Sequence, residues 1–342
     1  MSNVIKCIVF SGGGIKGLSY IGCLKYLEEI NIYPQLDCLV GTSAGGMVAL
    51  LYNLGYKYQE LSDILCSIDF KTLQDITTDG IFNYFKLYGF DTGNKVERII
   101  KIFIKKKTND ENITFADLYN ITKKTLIITG TCLNTKTCTY FSHKTYPDMP
   151  VIKAIKISST IPFIFQVQEY ESKSYVDGGV IENYPIEAYP DKQQVLGFLI
   201  SIDNTHTDIN NLEEYSSAIL DSVYSKIEYF YKKYYSNITI NLVVNIGAID
   251  FNISKEDKML LFDLGYNLTK EYFKLNKDRI IDNSNTDDIN HHLSTNTDTI
   301  DNTDTIDTID NTDTIDTIDT IDNTDTIDTI DNTDTIDTID NT

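Results

Sequence analysis

Gly12-Gly13-Gly14-Ile15-Lys16-Gly17 and Gly41-Thr42-Ser43-Ala44-Gly45 decide how this chain folds. Each follows a short apolar run, residues 5–10 and 38–40. Each precedes a helical pattern, clearest in Leu18, Ile21, Leu24 and Leu27. Strand, glycine turn and helix, twice in succession, predict a parallel sheet with helices packed on it. The first turn presents backbone N–H groups to an anion. The second, a G-x-S-x-G turn, lifts the Ser43 hydroxyl into the open at a helix N-terminus, where developing negative charge is favoured. Two of the three parts of a serine acyl hydrolase are thus in place, and the third, a base, has to come from further along.

Outward from these turns, the pattern predicts strands over residues 5–11, 38–43, 125–132, 137–141, 195–202 and 239–245. Helices are expected over 17–30, 44–54, 58–67, 94–106, 212–233 and 254–274, the last capped by Ser254 with Asp257 three residues on. No linker interrupts the chain before residue 280, so one α/β domain over residues 4–280 is expected.

The formal net charge of −21 is concentrated at one end. Residues 282–342 hold 18 aspartates and no Lys, Arg or Glu, which leaves −21 + 18 = −3 for the rest. That near-neutral body argues against a nucleic-acid partner, which would select a basic face. From Asp298 to Asp340 an aspartate recurs every third residue among Thr, Ile and Asn. Such a repeat stacks like charges in a helix and buries nothing as a strand, so residues 282–342 are expected to be a disordered tail. A calcium-binding role is disfavoured because the glycines of a β-roll are absent.

Six cysteines without a C-x-x-C pair, four histidines and no signal peptide point to reduced, buried thiols, no metal site and a cytoplasmic chain. No apolar stretch is long enough to span a bilayer.

Gly12, Gly14 and Gly17 also satisfy the dinucleotide-binding spacing. The acid that would hold the ribose fails, because Asp37 precedes the second strand instead of ending it. A phosphate-binding Walker loop fails as well, since Leu18 stands where a lysine is needed. Ser43 has a plainer reading as a helix N-cap. For the base, His143 and His206 are the only histidines of the body. Tyr175-Val176-Asp177-Gly178-Gly179 is the better candidate: an acid ends an apolar run where two glycines let the backbone approach another loop, and desolvation makes a carboxylate basic. A simple Asp-Gly-Gly turn fits the same residues.

The ordered set Gly12 to Gly17, Gly41 to Gly45 and Asp177-Gly178-Gly179 resembles the signatures of the patatin-like phospholipase family. Ile157-Ser158-Ser159-Thr160-Ile161-Pro162-Phe163 resembles a further family segment. The similarity covers about residues 4–200. It implies a three-layer α/β/α sandwich with a mostly parallel central sheet, Ser43 as nucleophile, Asp177 as base, and Gly12, Gly13 and Gly14 as the oxyanion hole. Lys16, Gly17, Gly41, Gly45, Gly178 and Gly179 complete the motifs. The implied activity is carboxylic ester hydrolysis of the phospholipase A or lysophospholipase type, without cofactor or metal. The substrate would be a phospholipid or other acyl lipid, met by peripheral membrane contact, with an unknown protein or membrane as activator. A lipid-binding adaptor of weak catalysis is the alternative. Lys16 is read either as a lipid-phosphate contact or as a solvated charge. Residues 81–90, rich in Tyr and Phe, are either core or a lid or membrane-contact loop, and residues 226–235 either a bilayer contact or a solvated helix face.

Overall fold

Apolar runs covered on both faces become the central strands of a mixed sheet. In the computed structural model, which describes residues 4–76, 78–82, 84–201, 209–210, 212–244, 247 and 251–277, these are β1 (Cys7–Phe10), β2 (Cys38–Gly41), β3 (Thr125–Cys132), β7 (Val195–Ser201) and β8 (Thr239–Val243). They pair in parallel, in the order β3-β2-β1-β7-β8. Three antiparallel strands extend the sheet around β3: β4 (Thr137–Phe141), β5 (Gln168–Tyr170) and β6 (Lys173–Asp177).

Alternation along the strands divides the core into two layers. Ile8, Phe10, Leu39, Leu126, Ile128, Leu196 and Phe198 face the larger cluster. Cys7, Val9, Cys38, Val40, Val195 and Leu199 face the smaller one, which Tyr184 and Ile186 complete. Helices α1 (Ser19–Glu29), α2 (Ala44–Asn53), α3 (Tyr58–Ser67), α6 (Asn94–Thr108), α7 (Phe115–Thr122), α8 (Val151–Ser158) and α10 (Lys255–Leu275) supply the first layer. Tyr231 and Tyr235 from α9 (Leu212–Tyr234) and the turn that follows it cover the second. The short helices α4 (Thr78–Phe82) and α5 (Tyr84–Leu87) lie between α3 and α6. The architecture is the α/β/α sandwich that the family resemblance implied.

The expected strand over 38–43 ends at Gly41, because Thr42 and Ser43 leave the ladder to form the turn. The helix expected from Gly17 opens earlier, as a 3-10 turn over Gly14–Leu18 that runs into α1. Ser254 caps α10 as anticipated: its Oγ accepts the Asp257 N–H at 3.0 Å. All six cysteines are free, but Cys66 and Cys138 are only half-buried. Core packing does not account for the aromatic stretch, since Phe82 is 82% and Phe85 89% exposed. Residues 226–235 divide, with Tyr231 and Tyr235 packed inward and Tyr229, Phe230 and Tyr234 exposed. The acidic tail, residues 282–342, and His206 lie outside the described residues. Among the described residues no helix is long and apolar enough to cross a membrane.

Candidate active site

Ser43 joins β2 to α2 with φ 53° and ψ −124°, a conformation that favours glycine and costs a serine about 1–3 kcal/mol. The turn is sharp enough that a Cβ on Gly41 would lie 2.3 Å from the Gly45 carbonyl oxygen. A Cβ on Gly45 would lie 2.4 Å from that of Ser11. Those two glycines therefore allow the strand end, the helix start and the first glycine turn to touch. Ser43 makes no side-chain cap to α2, which removes the plain N-cap reading and leaves its hydroxyl for another partner. The Asp177 carboxyl lies beside it, close enough that the Ser43 hydroxyl lowers the carboxyl's proton affinity.

The strand register explains why two residues so distant in sequence meet. Ile128 of β3 pairs with Gly41, and Gly130 of β3 pairs with Asp177. β2 and β6 thus end two residues apart along β3, which brings Ser43 and Asp177 to the same end of the sheet. Thr42 and Thr129 join side chains there, 2.7 Å apart. The end of α8 and the residues after it hold the pair from a second direction. Ser158 Oγ accepts the Ser43 N–H at 2.8 Å, and the Thr160 carbonyl accepts the Asp177 N–H at 2.8 Å.

Asp177 is 5% exposed. Burial pushes its carboxyl up to about 7, against the lowering effects of the Ser43 hydroxyl and of the Gly179 N–H, which donates to Oδ1 at 2.7 Å. Gly178 is packed against Thr129, where a Cβ would fall 2.1 Å from Oγ1. Gly179 is crowded by Tyr224, Asn183 and Asp177 itself. Burial, then the Asp177 charge, push the Tyr224 hydroxyl up in turn. A carboxylate basic near neutral pH and beside a serine hydroxyl is suited to take that proton.

The first glycine turn lies against this pair. A Cβ on Gly12 would come within 3.4 Å of the Ser43 Cβ, and one on Gly17 within 3.0 Å of the Ala44 Cβ. The expected set of three oxyanion donors needs correction at Gly12, whose N–H already donates to the Asn183 carbonyl at 3.0 Å. The N–H groups of Gly13 and Gly14 open a helical turn, where such donors have no intrahelical acceptor, and among the described residues no hydrogen bond engages them. Lys16 is half-buried in that turn, and its carbonyl accepts the Ser19 hydroxyl at 2.8 Å. His143 stacks on the Tyr119 ring at 3.9 Å.

Two participants escaped sequence reasoning. Asn183, six residues after Asp177, holds Gly12 by its carbonyl and by Nδ2, which donates to the Gly12 carbonyl at 3.5 Å. Ser158 had a signal in the small-residue segment 157–160, without an indication of what it touches.

A cavity of about 200 Å³ begins at Gly14, Gly17 and Ser43 and extends between α2, α3, α6 and α8. Val48, Leu51, Val96, Ile100, Phe103 and Ile155 give it apolar walls. Its charged lining residues, Glu97 and Lys156, are paired at 2.7 Å. Among the described residues, no cluster of three or more His, Cys, Asp or Glu side chains is placed to hold a metal ion.

A family model described as Patatin-like phospholipase matches residues 8–189. Uncharacterized protein R571 of Acanthamoeba polyphaga mimivirus is 31% identical over 283 residues, spanning 78% of this chain and 93% of that protein. Probable lipid hydrolase 463L of Invertebrate iridescent virus 6 is 31% identical over 191 residues, spanning 53% of this chain and 62% of that protein. Among solved structures, VipD from Legionella pneumophila is similar with a TM-score of 0.49 at 16% identity, covering 79% of this chain and 67% of that one.

Proposed function

Because the chain belongs to the patatin-like phospholipase family, we propose that it is a lipid acyl hydrolase in which Ser43 and Asp177 act as a catalytic dyad. The observation that carries this reading is a buried carboxyl of raised basicity beside the Ser43 hydroxyl. The residues of the hydrolase domain are 4–280. The substrate is a phospholipid or other acyl lipid taken from a membrane surface, cleaved as by a phospholipase A or a lysophospholipase.

Asp177 accepts the Ser43 proton as Oγ attacks the ester carbonyl carbon. The negative charge that develops on the carbonyl oxygen is met by the Gly13 and Gly14 N–H groups, and losing one such donor typically costs about 3–4 kcal/mol of transition-state stabilisation. Collapse breaks the ester bond, and Asp177 returns its proton to the departing alcohol or lysolipid oxygen. Water then attacks the acyl-serine, giving a proton to Asp177, and the fatty acid leaves as Ser43 is reprotonated. The apolar cavity beside Ser43 supports this reading because it offers the acyl chain a place away from water.

A fluorophosphonate probe tests the assignment. The expected result is a label at Ser43, with loss of both labelling and ester hydrolysis in Ser43→Ala and a folded circular-dichroism spectrum. Full turnover by Ser43→Ala refutes it. Lipid binding without acyl release or labelling would instead leave a lipid-binding adaptor.

A further inference from the structure

The aromatic stretch that core packing does not explain is held against a segment that lines the Ser43 cavity. Ile81, Phe82, Phe85 and Tyr88 are 60%, 82%, 89% and 63% exposed. Soluble surfaces seldom gather so many large apolar side chains without a use. Backbone hydrogen bonds tie the segment that follows to residues 161–167. The Phe90 and Asp91 N–H groups both donate to the Ile164 carbonyl at 3.0 Å, and the Val167 N–H donates to the Leu87 carbonyl at 3.2 Å. Ile161 and Phe165 line the cavity, whereas Phe163 between them is 49% exposed at φ 71°. One short segment therefore touches both the Ser43 cavity and the exterior.

Charge distinguishes what this exterior fits. The stretch contains exposed Lys86 and continues into α6, whose outer face carries exposed Lys95, Arg98, Ile102, Lys105 and Lys106 at helical spacing. The single acid of α6, Glu97, is paired with Lys101 at 2.9 Å and Lys156 at 2.7 Å. Lys105 meets Glu111 at 3.7 Å, and the buried Asp91 is turned to the N–H groups of Asp75 and Gly93. Aromatic side chains followed in the chain by a cationic helix face match an interface of apolar chains below anionic head groups.

We infer that α4, α5 and the outer face of α6 form one docking face for an anionic lipid surface. The inference rests on the reading of Ser43 and Asp177 as a lipid hydrolase site, and it specifies where the substrate-bearing layer meets the protein. Docking there sets the segment carrying Ile161 and Phe165 against the layer from which an acyl chain must come.

Vesicle flotation of the full chain tests it, with Ser43→Ala so that the lipid stays intact. Phosphatidylcholine vesicles are compared with mixed phosphatidylcholine–phosphatidylserine vesicles. The expected result is preferential binding to the mixed vesicles, weakened by added salt. Phe82→Ser with Phe85→Ser weakens it by roughly tenfold or more, as does Arg98→Glu with Lys106→Glu. In an otherwise wild-type chain, both double variants keep hydrolysis of a soluble butyryl ester, which reports that they fold. Equal binding to the two vesicle types, or unchanged flotation in both double variants, overturns the inference. Association of the chain with itself, abolished by the aromatic double variant and indifferent to lipid, overturns it too. Absence of butyryl ester hydrolysis in the wild type would sink the hydrolase reading and leave the flotation result standing.

Discussion

The N–H of Ser43 donates to Oγ of Ser158 at 2.8 Å, so the strained Ser43 turn is held by a side chain from the end of α8. Ser158 is fully buried. Ser158→Ala leaves that buried donor without its acceptor, a loss of about 1–3 kcal/mol in stability. Because the turn also aims Oγ, kcat for a soluble ester falls while KM changes little. Urea denaturation and steady-state kinetics measure the two effects, and a variant unchanged in both would show that Ser158 holds nothing.

With Asp177 as the proposed base, its basicity would set the pH profile. A base works only when ionised, and burial holds this carboxyl at about 7. Activity should therefore rise with pH through about 7 and level off above it. A kcat/KM profile that is flat through neutrality would exclude Asp177 as the titrating base.

The same burial has an opposite effect on stability. The folded protein binds the Asp177 proton more tightly than the unfolded chain, so this group's contribution is full below about pH 4 and is lost as pH rises through about 7. The difference is on the order of 4 kcal/mol. Asp177→Asn should abolish hydrolysis and yet melt above the wild type in mildly alkaline buffer, with the gap closing in acid. Calorimetry across that range checks the sign. Since the Ser43 hydroxyl lowers the carboxyl value, Ser43→Ala should move it further up, a shift readable by carbon NMR of the labelled aspartate.

Gly45 is the tightest point between the two glycine turns. An alanine there would set its Cβ 2.4 Å from the Ser11 oxygen and 2.5 Å from the Phe10 oxygen, both of them backbone atoms. Gly45→Ala must push α2 away from β1, at about 1–3 kcal/mol, and it separates Ser43 from the Gly13 and Gly14 donors. A lower melting temperature together with lost ester hydrolysis is expected. Full activity would mean that the two turns are not coupled through this contact.

Val96 lines the cavity from α6. Val96→Phe fills space that a long acyl chain would take and leaves Ser43 and Asp177 untouched. Hydrolysis of a palmitoyl ester should fall by roughly tenfold or more relative to a butyryl ester. Equal loss on both esters would place the acyl chain elsewhere.

Much of the fold was legible because it is local. Residues 5–10 and 38–40 are apolar runs ended by glycines, and such runs make buried parallel strands wherever helices follow them. Ser254 and Asp257 announced the start of α10 by their spacing alone. The antiparallel pair β5 and β6 was not legible, because Gln168–Tyr170 and Lys173–Asp177 are short and their pairing depends on β3.

For the site, residue order along the chain singled out Ser43, Asp177 and the glycine turns, since each turn needs particular residues in consecutive places. Tertiary structure decided the rest. It brought Ser43 and Asp177 to one end of the sheet through their strands' pairing with β3, and it engaged the Gly12 N–H with the Asn183 carbonyl. It assigned Ser158 to the Ser43 N–H and turned Phe82 and Phe85 outward. Turn chemistry is set by neighbours in sequence, and so it can be read from them. Hydrogen-bond partners, burial and the basicity it confers depend on residues more than a hundred positions away, which only the folded chain brings together.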